Sequence, residues 1–160
     1  MDKTEVYDIL ESVKDPEIPV LSIADLGILR KIEIAEDGTF VITITPTYSG
    51  CPAMDTIEQD IKKTLSEKGI QAEIKTALSP AWTTDWLSEK GRKNLEAYGI
   101  APPAEATTDK SFLTGSHKVI RCPQCKSSNT EMVSHFGSTA CKALYKCNDC
   151  LEPFDYFKCI

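Results

Sequence analysis

Apolar side chains at Val6, Ile9, Leu10 and Val13 share one face of a helix, behind Asp2 and Glu5 at N-cap and third-residue spacing. The pattern predicts a helix from Asp2 to Lys14, stopped by Asp15-Pro16, with Pro19 preventing resumption. From Asp15 to Gly27 no period is visible, so this stretch reads as a loop. Alternation then sets Ile28, Ile32 and Ile34 on one face of a strand and Lys31 and Glu33 on the other. Asp37-Gly38 predicts a two-residue hairpin into a second strand, Phe40 to Thr45. Helical spacing returns with Met54, Ile57, Ile61 and Leu65, between Pro52 and Lys68, and Gly69 stands where a terminating glycine belongs. Ile70 to Ala77 reads as a third strand. A loop carrying Trp82 and Trp86 leads into a further helix, broken in its middle by Gly91 and closed by Gly99. Tryptophan is mostly buried, so the pair reads as packing over the sheet in preference to a partner surface.

Beyond residue 100 the pattern changes character. Ala101 to Asp109, with Pro102-Pro103, has no apolar period and predicts a linker. Further strands follow at Thr130–Ser134, Cys141–Lys146 and Phe154–Phe157. The predicted fold class is α+β: a small mixed α/β-sheet domain at residues 1–100, a linker at 101–116, and a C-terminal ribbon at 117–160.

Composition adds two facts. The net charge of −6 is split: residues 1–116 hold 12 basic and 20 acidic side chains, residues 117–160 hold 6 and 4. An acidic body and a tail of +2 argue against nucleic acid. No apolar run approaches the ~20 residues of a membrane span. The polar start, Met1-Asp2-Lys3-Thr4-Glu5, lacks a signal-peptide core, so the expectation is a cytoplasmic protein without membrane contact.

Six of the seven cysteines lie after residue 121. Cys122-Pro123-Gln124-Cys125 and Cys147-Asn148-Asp149-Cys150 are separated by 21 residues, a spacing that gathers four sulfurs around one ion. Cys122, Cys125, Cys147 and Cys150 are therefore the predicted ligands of a structural Zn²⁺. Zinc is preferred to iron, since structural Cys₄ sites in reducing compartments are commonly zinc. Four thiolates about Zn²⁺ add about −2 and cancel the tail's excess charge. Cys141 and Cys159 are surplus and read as small buried hydrophobes. His117 and His135 are not needed as ligands.

The seventh, Cys51, ends Thr45-Pro46-Thr47-Tyr48-Ser49-Gly50-Cys51-Pro52, between strand and helix. Pro52 suits a first helical turn, which puts Cys51 at or beside the N-cap, where a thiolate is stabilised and the thiol pKa is expected to fall. An inert buried cysteine fits the same position. A thiol enzyme with Cys51 as nucleophile lacks a local base, because residues 1–116 contain no histidine.

Asp15-Pro16-Glu17-Ile18-Pro19, Asp25-Leu26-Gly27 and Thr47-Tyr48-Ser49-Gly50-Cys51-Pro52 resemble the motifs of the SufT-like iron–sulfur assembly family. With the ribbon, residues 5–160 are similar to the D-subunit family of phenylacetyl-CoA epoxidase systems, which serve aerobic phenylacetate catabolism. The resemblance implies a maturation factor and not an enzyme. Cys51 would transiently ligate iron or an iron–sulfur cluster, with Thr47, Asp15, Glu17 and Asp25 as accompanying site residues. The implied partners are the oxygenase and reductase components. One thiolate cannot hold a cluster, so a homodimer or the client would supply the other ligands. The alternative is a docking scaffold of that complex without metal transfer. In keeping with an accessory role, the chain has neither a Glu-x-x-His pair nor a glycine-rich dinucleotide motif.

Overall fold

The computed structural model describes residues 1–103 and 119–158. Two compact units divide between Gly91 and Arg92.

In the first unit, α1 (Lys3–Leu10) opens with the expected capping box: the Asp2 side chain accepts from the N–H groups of Thr4 and Glu5, and Glu5 reaches back to the Asp2 N–H. The helix ends earlier than the apolar spacing suggests. Ser12 and Val13 donate to carbonyls three residues back, and Lys14 then bridges to Ser22, so the backbone has left the helix before Asp15. Strands β1 (Leu29–Ile34) and β2 (Phe40–Ile44) pair antiparallel. Their turn is wider than two residues: Ala35 donates to Thr39, and Gly38 to Ala35. After α2 (Ala53–Ser66), β3 (Ala72–Thr76) joins β2 in parallel, giving sheet order β1-β2-β3. The predicted α2 stripe holds for Ile57, Ile61 and Leu65, all fully buried, together with Val6, Leu10, Ile42 and Ile44.

A single 3₁₀ turn (Thr84–Trp86) precedes α3 (Glu89–Tyr98). Trp82 is buried and its indole N–H donates to the Leu26 carbonyl at 2.7 Å, which bears out the packing reading for that residue, whereas Trp86 is only half-buried. Gly91 does not break α3. A Cβ there would lie 3.2 Å from the Asp25 carbonyl, so the glycine serves a close approach between helix and loop.

The second unit is a four-stranded sheet, order β4-β7-β6-β5. Strands β5 (Thr130–Ser134), β6 (Lys142–Cys147) and β7 (Pro153–Phe157) form the expected antiparallel ribbon. The sheet has a fourth strand beyond those the sequence pattern predicts: β4 (Ile100–Ala101) pairs in parallel with Asp155 and Tyr156 of β7. Residues read as the end of one domain and the start of a linker therefore belong to the ribbon sheet. The rest of the predicted linker, 104–116, lies outside the described residues, as do His117 and Cys159. Among the described residues no helix is long and apolar enough to cross a membrane.

Candidate functional site

Two sulfur sites stand out. In the ribbon, the Sγ atoms of Cys122, Cys125, Cys147 and Cys150 all lie within 4.8 Å of one another. Cys122 and Cys150 are 3.7 Å apart and Cys125 and Cys147 3.5 Å, close to the ~3.8 Å edge of a tetrahedron with 2.3 Å metal–sulfur bonds. A disulfide would need about 2.05 Å. The two Cys-x-x-Cys turns are built alike. Cys122 N–H donates to the Ser127 carbonyl and Cys147 N–H to the Glu152 carbonyl, five residues on in each case. The residue after each second cysteine, Lys126 or Leu151, takes a positive φ, +64° or +66°. Amide groups converge on the sulfurs. Those of Cys150 and Asp149 hold the Cys147 thiol down at about 7. Cys150 accepts the Glu152 N–H, yet burial and its neighbouring sulfurs push it up to about 12. Without a cation the four thiols must share protons; a divalent metal relieves that conflict, and the sulfur set fits one. Cys141, as expected, is buried, with its sulfur 3.0 Å from the Thr139 hydroxyl.

The second site is the loop between β2 and α2. Cys51 N–H donates to the Tyr48 carbonyl across a turn whose third residue, Gly50, has φ +77°. A Cβ on Gly50 would meet nothing within 4 Å, so the backbone angle alone calls for glycine. The N-cap of α2 is Pro52, which puts the half-buried Cys51 one residue outside the helix. The expected fall in its pKa is overturned. Burial pushes the Cys51 thiol up, and the nearby charges of Glu17 and Asp15 add to the effect. Hydrogen bonds to the sulfur from the Ala53 N–H and the Tyr48 side chain pull the other way and lose. The helix supplies one N–H where the sequence argument counted on its whole N-terminal field.

The charges of Glu17 and Asp15 both raise the Cys51 thiol. Asp15 is itself buried and structural in part: its Oδ1 accepts from the N–H groups of Glu17 (2.7 Å) and Ile18 (2.9 Å), closing the loop. Thr47 shares the Cys51 loop, half-buried. Asp25 is committed to the fold. Its carboxylate accepts from the Ser88 hydroxyl at 2.9 Å and, more weakly, from the Ser22 N–H at 3.4 Å. Tyr48 was not singled out from sequence, although its place three residues before Cys51 in a glycine turn was the available signal. Among the described residues only the ribbon quartet gathers three or more potential metal-ligand atoms, so this chain supplies one sulfur at the loop and four at the ribbon.

Each sulfur site lies in a stretch that matches a known family. Residues 106–158 match the family described as PaaD zinc beta ribbon domain, and residues 3–79 the family described as iron-sulfur cluster assembly protein. A protein of Escherichia coli K12, provisionally named as the D subunit of 1,2-phenylacetyl-CoA epoxidase, is 46% identical over 98% of this chain and 92% of its own length. The chain belongs to this D-subunit family. The chain is also 36% identical to an Fe-S protein maturation auxiliary factor of Porphyromonas gingivalis, over 57% of this chain and 88% of the relative. The crystal structure of a domain of unknown function, DUF59, from Bacillus anthracis superposes with a TM-score of 0.55 at 31% identity, covering 58% of this chain and 90% of that one. The D-subunit family therefore combines an iron–sulfur assembly fold with a zinc ribbon.

Proposed function

We propose that this protein matures a component of a phenylacetyl-CoA epoxidase system by handing iron or an iron–sulfur cluster to it through Cys51. The observation that carries the reading is the Cys51 environment: a half-buried sulfur with two hydrogen-bond donors at it and the charges of Glu17 and Asp15 acting on it. Carboxylates whose charge repels a thiolate attract a bound iron cation. The sulfur stays protonated at rest. When iron or a cluster arrives as cargo, Sγ binds it and releases its proton to solvent. One sulfur holds cargo weakly, which suits delivery, and a client or a second copy of the chain completes the ligand set. The ribbon holds Zn²⁺ through Cys122, Cys125, Cys147 and Cys150 and serves as a structural module without a part in the transfer.

The test is to express the oxygenase and reductase components with wild-type protein, with Cys51→Ser, or with neither, and to measure iron and acid-labile sulfide in each component. Serine keeps the size of the side chain and removes the thiolate. Loss of metal from one component with Cys51→Ser, as severe as without the protein, is the expected result. Full metal content with the serine variant would leave a docking scaffold and end the transfer reading.

A further inference from the structure

β1 lies at the edge of its sheet, and its pairing with β2 jumps from Leu29↔Ile44 to Lys31↔Thr43. Arg30 is the extra residue at that irregularity. A bulge on an edge strand re-aims a side chain, and the Arg30 guanidinium lies 3.5 Å from the centroid of the Trp86 ring. Stacking fixes the plane of the group while its N–H edge stays free to grip a carboxylate. Arg30 is exposed, and among the described residues no carboxylate forms an ion pair with it.

The platform beneath it is built in. Gly27 has φ +74°, and a Cβ there would lie 2.6 Å from the Trp86 Cβ and carbonyl oxygen. The Asp25-Leu26-Gly27 motif thereby seats Trp86, and Trp86 seats Arg30. Beside them runs a groove of about 300 Å³ lined by Lys3, Tyr7, Leu29, Arg30, Lys31 and Ile32. Tyr7 is 41% exposed there, although it stands on a helix with a buried stripe. Lys31 is tied to Glu33 only by an exposed ion pair at 2.7 Å, which a partner can exchange at little cost. Three cations thus line an apolar groove in a part of the chain where acidic residues outnumber basic ones 20 to 12.

We propose that the free edge of β1 beyond its bulge and this groove dock an extended, acidic segment of the protein client, which adds as a strand along Lys31–Ile34 and sets a carboxylate on Arg30. Charge complementarity selects the acidic partner. The unpaired strand edge and apolar floor select a polypeptide, because a small anion would use neither. The proposal rests on the reading that the protein serves a client, but it does not involve Cys51.

The test uses the full-length protein and the purified oxygenase and reductase components. Wild type is expected to bind one component with an affinity that falls steeply as salt rises. Arg30→Glu should weaken binding by about tenfold or more, while Arg30→Lys, which keeps the charge and loses the planar stack, should fall between the two. Amides of Lys31 to Ile34 should gain protection from hydrogen exchange in the complex. Cys51→Ser should dock like wild type while failing in maturation, which separates this proposal from transfer at Cys51. Binding to neither component, unchanged binding by a folded Arg30→Glu variant, or protection confined to other segments would overturn it. So would full competition by millimolar inorganic phosphate, which would mark the groove as a small-anion site.

Discussion

At Cys51 the balance of local fields decides the chemistry. Because burial and the charges of Glu17 and Asp15 raise the thiol pKa, the folded state holds its proton at a pH where the unfolded chain has lost it. The contribution of this group to stability is complete below the unfolded value of about 8.5 and is lost as pH rises through the folded value. Alkylation of native Cys51 at pH 8 should therefore be slower than that of a free thiol, and Glu17→Gln should accelerate it roughly twofold to fivefold by removing one charge. A pH–rate profile read by mass spectrometry would show this; native Cys51 outpacing a free thiol would refute it. The sequence marked the residue and its helix but not its ionisation, since the opposing carboxylates come from the loop before β1. Gly27 shows the same limit: its spacing in Asp25-Leu26-Gly27 was visible, its contact with Trp86 was not. Gly27→Ala should cost about 3 kcal/mol or more, summing left-handed strain and overpacking, while Gly38→Ala, with open space around it, should cost about 1–2 kcal/mol. Urea titrations of the two variants give the comparison directly.

Among the elements, those specified by local pattern were legible. The α1 capping box and the α2 stripe draw on neighbours within a few residues, and each ribbon strand shows its own short β-rich segment. β4 was hidden because two residues carry no period, and its pairing with Asp155 and Tyr156 is remote in sequence. Yet Ala101 sits in the ribbon core with Ile120, Cys122, Cys147 and Phe154. A fragment of residues 117–160 lacks that strand, whereas 92–160 keeps it. Loss of the buried Ile100 and Ala101 side chains should cost the shorter fragment about 2–3 kcal/mol in zinc-saturated buffer. Equal melting temperatures for the two fragments would show that β4 is dispensable.

At the scale of the molecule, the division between Gly91 and Arg92 separates two sources of stability. The proline-bearing stretch after residue 100 suggested two modules, but the contacts set the boundary within α3, where no loop signal exists. The first unit rests on an apolar core of its own, including Leu10, Ile42, Ile57 and Ile61, each fully buried. The ribbon has a smaller cluster, and two of its members, Cys122 and Cys147, are metal ligands under the proposed zinc reading. Ligand bound only to the folded state stabilises it by RT ln(1 + [L]/Kd), about 4 kcal/mol when free metal is a thousand times Kd. That term acts on the ribbon and is absent from the first unit. Calorimetry of the full-length protein in zinc buffer should then resolve two transitions. Chelation should lower or abolish one of them, and hydrogen exchange should rise in 119–158 and at Ile100–Ala101 while α1 and α2 keep their protection. Cys147→Ser should do the same without chelator, since three thiolates hold the ion less tightly. One cooperative transition that shifts as a whole on metal removal would show that the units do not fold independently, and the structural role assigned to the ribbon would then extend to the Cys51 unit.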